Sequence, residues 1–275
     1  MQAATTLLGD AFPIVKWAGG KRSLLDRLFA HVPEKIDRYY EPFAGGAALF
    51  FALQAVGRFK KASLNDTNRR LITTYTAVRD DVESVIRRLR RMPNDEAFFF
   101  KQRAKNVDKL DPAAQAAWLI YLNRTCFNGL YRVNAKNEFN VSFGHYKNPL
   151  ICDADNLRAA SLALTAVELC CEDFGTMMLM PHAGDFVYFD PPFLTRVGNE
   201  FVRYGKGVFG RDDHERLAAC ARDLKQRGVN VLISNSDTDE VREIFHGFDF
   251  EEVRGRRSVN RDGNGRAPAP DLLIW

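Results

Sequence analysis

The sequence predicts an α/β fold: an open, largely parallel sheet into which a mainly helical segment is inserted. Three observations carry that expectation. Residues 37–41 and 61–66 read as short buried strands, each followed by a turn and a helix, the opening of a βαβ unit. Phe186, Val187, Tyr188 and Phe189 form an unbroken apolar run, as in a strand covered on both faces. Between these parts, residues 69–152 carry helical periodicity and almost no strand pattern.

In order along the chain, the strand at 37–41 enters a glycine-containing turn, and 47–56 reads as a buried helix stopped by Gly57. The strand at 61–66 and a helix over 68–78 follow. Val82, Val85, Ile86 and Leu89 then recur at helical spacing, and Asp111-Pro112 opens a further helix through 122, since proline suits the first helical position. Residues 125–149, rich in Asn, Gly, Tyr, Phe and Arg, read as a polar hairpin or loop with aromatic anchors. Strand patterning returns at 185–190, followed by a helix over 212–227 capped by Gly228, a strand at 230–234, and closing strands at 248–254 and 271–275. A short Gly/Asn/Pro loop lies near 262–270, and no internal repeat is present. The expected organisation is a sheet domain of residues 1–68 and 153–275, interrupted by an inserted domain of residues 69–152.

With 46% hydrophobic and 27% charged residues the chain is of ordinary globular composition. Its net charge of +4 suits a polyanionic partner without requiring one. Five cysteines without a CxxC pair argue against a disulfide framework and a zinc knuckle, and the histidines other than His145 (His31, His182, His214 and His246) lack ligand spacing, so no metal is expected. No run approaches the roughly 18 apolar residues of a membrane span, and the N-terminal residues lack the features of a signal peptide. A soluble, cytoplasmic protein is expected.

The strongest chemical signal is Asp190-Pro191-Pro192-Phe193 directly after the apolar strand. Such a string arises by chance in well under roughly one chain of this size in a hundred. A carboxylate at a strand end, followed by two prolines that forbid helix and ladder alike, is a rigid acceptor array. An exocyclic amine fits it. Were adenine N6 to give one hydrogen to the Asp190 carboxylate and the other to the Pro191 carbonyl, its nitrogen would be the more nucleophilic, and Phe193 could stack on the extruded base. The plain structural alternative is a turn with an N-capping Asp190 and a core Phe193.

Trp17-Ala18-Gly19-Gly20-Lys21 sets an aromatic and a cation around two glycines, although an exposed turn with a solvated lysine is the plainer reading of that string alone. Glu41-Pro42-Phe43-Ala44-Gly45-Gly46 sits where the first strand meets its helix but lacks the GxGxxG spacing of a pyrophosphate binder, so a cofactor without pyrophosphate is preferred. Asp66, ending the second strand, is positioned for ribose hydroxyls or, equally, as a helix N-cap. The basic runs Arg87-Arg88-Leu89-Arg90-Arg91 and Arg254-Gly255-Arg256-Arg257 could neutralise phosphates; each alone is more simply a solvated face.

In combination, the strings KWAGGK, EPFAGG, LND, YLNRTCFNGLYR with NEFNVSFGHYKNP, FDPPF and VLISNSDT resemble the Dam-type family of D12 class DNA adenine-N6 methylases, over nearly the whole chain from Val15 to Trp275. The resemblance implies a Rossmann-like, seven-stranded class I methyltransferase sheet, with an inserted, mainly helical DNA-recognition domain carrying a β-hairpin. It implies S-adenosylmethionine as cofactor, contacted by Trp17, Lys21, Phe43, Asp66 and Asp190. Asp190, Pro191, Pro192 and Phe193 then form the target-adenine pocket. Asn128, Leu130 and Arg132 match a hairpin that enters double-stranded DNA and reads the site, usually GATC, and the match to Lys16 contacts another base. Arg132 has the donors for a guanine edge, Leu130 suits a thymine methyl, and Asn128-Gly129 is expected to turn the hairpin at its tip. Asn134, Ser142, His145 and Tyr146 belong to the same DNA-facing segment. Phe193 stands where Tyr is more frequent in the family, and Ser142 and His145 where close relatives often carry Pro and Arg.

The expected reaction is direct in-line transfer to adenine N6 without a covalent enzyme intermediate, because no cysteine sits in a nucleophile motif. A monomer acting at the nucleoid is expected. The rival readings are an amino methyltransferase acting on cytosine N4 or on RNA adenine, and a non-catalytic DNA-binding protein of the same fold.

Overall fold

A computed structural model of the chain describes residues 11–194, 209–253 and 270–275. The element order is α1 (Leu25–Ala30), β1 (Arg38–Glu41), α2 (Ala48–Ala55), β2 (Lys61–Asn65), α3 (Arg69–Leu89), α4 (Glu96–Arg103), α5 (Pro112–Thr125), α6 (Ala154–Ala163), β3 (Val167–Cys170), α7 (Phe174–Met177), β4 (Phe186–Phe189), α8 (Arg211–Gln226), β5 (Asn230–Ser236), α9 (Asp239–Ile244), β6 (Phe250–Val253) and β7 (Asp271–Ile274). The strands form one seven-stranded sheet in the order β3-β2-β1-β4-β5-β7-β6. Its first five members pair in parallel, while β7 runs antiparallel to both β5 and β6.

Alternation along the strands divides the apolar side chains between two faces. Tyr39, Phe186, Tyr188 and Leu232 join the cluster that packs with α1, α2, α3 and α6, whereas Tyr40, Val187, Phe189 and Ile233 join the cluster under α7, α8 and α9. Both faces of β4 are therefore covered, which is why its sequence is apolar throughout. The first cluster continues without a break into the helices beyond the sheet, through Val85, Phe99, Trp118 and Tyr121 to Phe139 and Phe143.

The expected helix over 68–78 and the amphipathic pattern from Val82 are one element, α3, kinked at Asp81, which leaves helical geometry at φ −149° and ψ 56°. Asp81 Oδ1 accepts from Ser84 N at 3.3 Å, restarting the helix as an N-cap does. Strand β3 and the helices α1, α4, α6, α7 and α9 were not legible. β3 is an edge strand of four residues with Glu168 exposed, too short for its alternation to register. The expected hairpin at 125–149 takes a hairpin course but pairs only through the isolated bridges Cys126↔Phe143 and Val133↔Phe139. Its tip lies at Asn134 to Asn137, not at Asn128-Gly129: Asn134 N donates to Glu138 O at 2.9 Å, and Asn134 Oδ1 accepts from Lys136 N and Glu138 N, both at 2.9 Å. Asn128 and Gly129 do make a tight left-handed turn, at φ 54° and 63°, but on the ascending arm, where Gly129 packs on Lys16. None of the described helices is long and apolar enough to cross a membrane. The basic run 254–257 and the loop residues 262–269 lie outside the described residues.

Candidate active site and nucleic-acid interface

Strand order reverses between β1 and β4: from β1 the chain builds outward through β2 and β3, and from β4 outward through β5. The crevice at the carboxyl ends of these two strands is where an open α/β sheet binds its ligand. The turn after β1 and the Asp190-Pro191-Pro192-Phe193 segment after β4 both open there.

The β1 turn is built for close approach. Gly45 adopts φ +46°, and a Cβ there would lie 2.7 Å from Trp17 Cδ1, so the indole rests directly on the turn. Gly45 N donates to Asp66 Oδ2 at 3.1 Å, Gly45 O accepts from Tyr75 OH at 2.7 Å, and Ala44 N donates to Asn65 O at 2.8 Å. Asp66 is not the cap of α3. That role belongs to Asn68, whose side chain accepts from Arg70 N and Leu71 N, while Asp66 Oδ1 accepts from Asn68 N at 2.8 Å. Burial raises the Asp66 carboxyl to about 6, and the two backbone N–H donors limit the rise. Phe43 turns to the other face of the sheet, with Phe174 at 5.4 Å and Phe209 edge-on at 5.5 Å, so it and Trp17 do not share a wall.

Lys21 overturns the expectation of a solvated lysine. It is 4% exposed, and its Nζ meets Asp190 Oδ1 at 2.7 Å, donates to Gly19 O at 2.7 Å and lies 4.5 Å from the Phe193 ring centre. Ser234 Oγ donates to the same Asp190 oxygen at 2.5 Å and touches Tyr188 OH at 3.1 Å. Among the described residues, no partner falls on Asp190 Oδ2. Burial raises the Asp190 carboxyl, opposed first by the Lys21 charge and hydrogen bond and then by Ser234.

Two further polar residues ending β5 brace the same segment at its far end. Leu194 N donates to Asn235 Oδ1 at 3.2 Å, and Ser236 Oγ donates to Leu194 O at 2.5 Å. Asn235 is fully buried, and its Nδ2 meets no partner among the described residues. Ser234, Asn235 and Ser236 belong to the VLISNSDT string that carries the resemblance but had no role assigned from sequence, yet three polar residues closing an apolar strand are a readable signal of a site at that strand's end. Glu41, part of the EPFAGG string but without a role assigned from sequence, is 2% exposed and accepts from Tyr39 OH at 2.9 Å, and burial holds its carboxyl well above the usual range.

The expected DNA-facing residues lie around the 125–149 segment and the adjoining Lys16. Lys16 is exposed, with its ammonium 5.6 Å from the Tyr146 ring, and Asn128 N donates to Tyr146 OH at 2.9 Å. A cleft of about 280 Å³ opens beside them, lined by Arg124 and Lys147 among others. Arg132 is exposed and turned onto Asn140, with Nε to Oδ1 at 2.8 Å and Nη2 to the carbonyl at 2.9 Å. Asn134 is engaged at the tip, donating to Glu138 Oε2 at 2.7 Å. Ser142 and His145 are exposed, Ser142 accepting from Phe127 N at 2.9 Å and His145 lying edge-on to Phe143. Leu130 is half-buried against the core; the neighbouring Phe127, 53% exposed and not anticipated, is the apolar side chain this segment presents to solvent. All five cysteines are free, and burial pushes the Cys126 thiol up to about 12, so it offers no thiolate. Among the described residues no group of three potential metal ligands occurs.

A parallel sheet closed by one reversed strand, with a glycine turn and a proline-rigid carboxylate facing each other across its switch point, defines a class I methyltransferase. The family model of the D12 class N6 adenine-specific DNA methyltransferases matches residues 17–259, and the chain belongs to that family. It is similar to a type II methyltransferase of Methanocaldococcus jannaschii, with 38% identity over 92% of this chain and 94% of the relative. A type II methyltransferase of Lactococcus lactis subsp. cremoris is 34% identical over 95% and 94% of the two chains. The DNA adenine methylase of Escherichia coli strain K12 is 33% identical over 94% and 93%. The protein is thus an adenine-specific DNA methyltransferase.

Proposed function

We propose that the enzyme takes its methyl group from S-adenosylmethionine and delivers it to N6 of an adenine rotated out of duplex DNA, within GATC. The observation that carries this reading is the Asp190 carboxylate, held on one oxygen by Lys21 at 2.7 Å and Ser234 at 2.5 Å immediately before two prolines and Phe193. A side chain held so firmly is preorganised, and most of the rate comes from such positioning.

The crevice fits the cofactor by charge and shape. Lys21 and Asp190 neutralise each other and Asp66 is ionised above about 6, so these three groups together are anionic at neutral pH. That suits a cationic sulfonium ligand and disfavours a diphosphate. Each Asp66 oxygen accepts one backbone N–H and keeps a lone pair for a ribose hydroxyl. Trp17, Lys21, Phe43, Asp66 and Asp190 would hold S-adenosylmethionine, which supplies an electrophilic methyl group on sulfur. Asp190 and the Pro191 carbonyl accept the two N6 hydrogens and so concentrate the nitrogen lone pair. Phe193 stacks on the base. N6 sheds one proton on becoming a secondary amine, and Asp190 is the acceptor the pocket offers it.

In this reading residues 69–152 form the target-recognition domain and residues 1–68 with 153–275 the catalytic domain, acting as a monomer on DNA in the cytoplasm, at the nucleoid. Arg132, Asn128, Leu130 and Lys16 read bases, and Asn134, Ser142, His145 and Tyr146 support that face. The test is methyl transfer from labelled S-adenosylmethionine to a GATC duplex and to one with the site scrambled, followed by nucleoside digestion. N6-methyladenine confined to the first is expected; label in both overturns the site, and label in neither overturns the transfer.

A further inference from the structure

Asn123 lies in the last turn of α5, 2% exposed, between the two halves of the proposed machinery. Its amide makes three short contacts. Oδ1 accepts from Lys16 N at 2.7 Å, while Nδ2 donates to Lys16 O and to Gly129 O, both at 2.8 Å. The amide thus satisfies both backbone groups of Lys16, as a neighbouring strand would, and ties that residue to the Asn128-Gly129 turn. Contact is tight enough that a Cβ on Gly129 would lie 2.5 Å from Lys16 Cδ and 2.9 Å from its Cβ. Arg124, next in the helix, donates from Nη2 to Ile14 O at 3.0 Å, which fixes the same segment two residues earlier.

That segment runs directly into the crevice. Trp17 follows Lys16, rests on Gly45 and stacks on Tyr131 with ring centres 5.2 Å apart, and Lys21 ends the segment on Asp190. One short stretch of chain therefore touches the turn that flanks the base-reading side chains, the β1 turn and the catalytic carboxylate. Only Asn123 bonds both the stretch and Gly129 through a single buried side chain among the described residues.

We propose that Asn123 is a positioning residue coupling target recognition to the catalytic crevice: through its clamp on Lys16 and Gly129, duplex bound at the 128–132 turn orders Trp17 and Lys21. The proposal rests on the reading of 128–132 and Lys16 as DNA contacts. Coupling of this kind is reciprocal, so site-containing duplex tightens cofactor binding by the same factor that cofactor tightens the duplex, typically about 5- to 150-fold.

The experiment measures by calorimetry the affinity for S-adenosylhomocysteine, the demethylated form of the cofactor that cannot transfer, with and without a GATC duplex, in the wild-type protein and in Asn123→Ala, with a thermal melt as the folding control. Asn123→Ala is expected to bring the duplex-induced tightening below about twofold while affinity for cofactor alone stays within about threefold, a pattern that general loosening of the fold would not produce. Gly129→Ala provides a second route, because it forces Lys16 and the turn apart with the Asn123 amide intact; the same loss of coupling is expected. Wild-type tightening retained in both folded variants overturns the proposal, as does a wild-type protein without tightening. Failure of the underlying reading is distinguishable: Arg132→Ala and Lys16→Ala would then methylate GATC and scrambled duplexes in the wild-type ratio.

Discussion

The crevice and the 125–149 hairpin are held by different means. In the crevice the proposed catalytic carboxylate sits at a strand end with buried partners: Asp190 after β4, Lys21 against it, and three successive polar residues of β5 bracing the segment at both ends. The hairpin has two isolated bridges, and Asn128, Arg132, Asn134, Ser142 and His145 are all exposed, Arg132 and Asn134 bonded to their own hairpin. In the proposed reading, chemistry that depends on fractions of an ångström is borne by the rigid sheet. Reading a duplex needs side chains that can exchange internal partners for bases, which a loop on a rigid base provides.

Substitutions in the two regions should therefore differ in kind. Asp190→Ala is expected to reduce single-turnover methyl transfer by about a thousandfold or more with folding intact, and a melt beside the rate measurement tests both halves. Lys21→Met breaks a buried pair and should cost about 3 kcal/mol of stability in denaturant titration, the lower end of the range because Asp190 retains Ser234. The same variant should move the acid limb of the kcat/KM profile to higher pH: Lys21 holds the raised Asp190 carboxyl down, and only the ionised carboxylate can take up the proton that N6 sheds. Ser234→Ala should shift that limb the same way by less, and cost about 1.5–3 kcal/mol of stability through loss of a charge-assisted hydrogen bond, read in the same titration.

On the hairpin, Arg132→Ala should leave stability within about 0.5 kcal/mol and cost about 1–3 kcal/mol of discrimination at one base pair, read by methylation of single-substitution duplexes. Asn134→Ala, at the tip, should be smallest, changing stability by about 0.5 kcal/mol or less in the same titration. Should Arg132→Ala instead lower transfer equally on every duplex, the contrast between reading and chemistry fails.

Legibility follows the same division. β1, α2, β2, β4, α8 and β5 were readable because each buries a continuous or periodic apolar pattern close to its cap or stop residue. The edge strand β3 and the short helices were not, since a four-residue strand with one exposed face leaves almost no periodic signal. Of the site, Asp190, Phe193, Trp17, Lys21 and Asp66 could be nominated by residue type and strand-end position. Their partners could not: Ser234 is 44 residues from Asp190, and Asn123 is 107 from Lys16.

By itself the sequence determined the fold class and the rigid carboxylate-proline array, because local apolar periodicity and the covalent restriction of proline act over a few residues, while the family showed only as a resemblance carried by its motif strings in combination. Tertiary structure alone decided that Lys21 is buried on Asp190, that Asn68 rather than Asp66 caps α3, that the hairpin turns at Asn134, and that Asn123 ties Lys16 to Gly129. These outcomes depend on which distant groups close packing brings within hydrogen-bond reach, and on the cost of leaving a buried polar group unpaired, neither of which is encoded in any short stretch of chain.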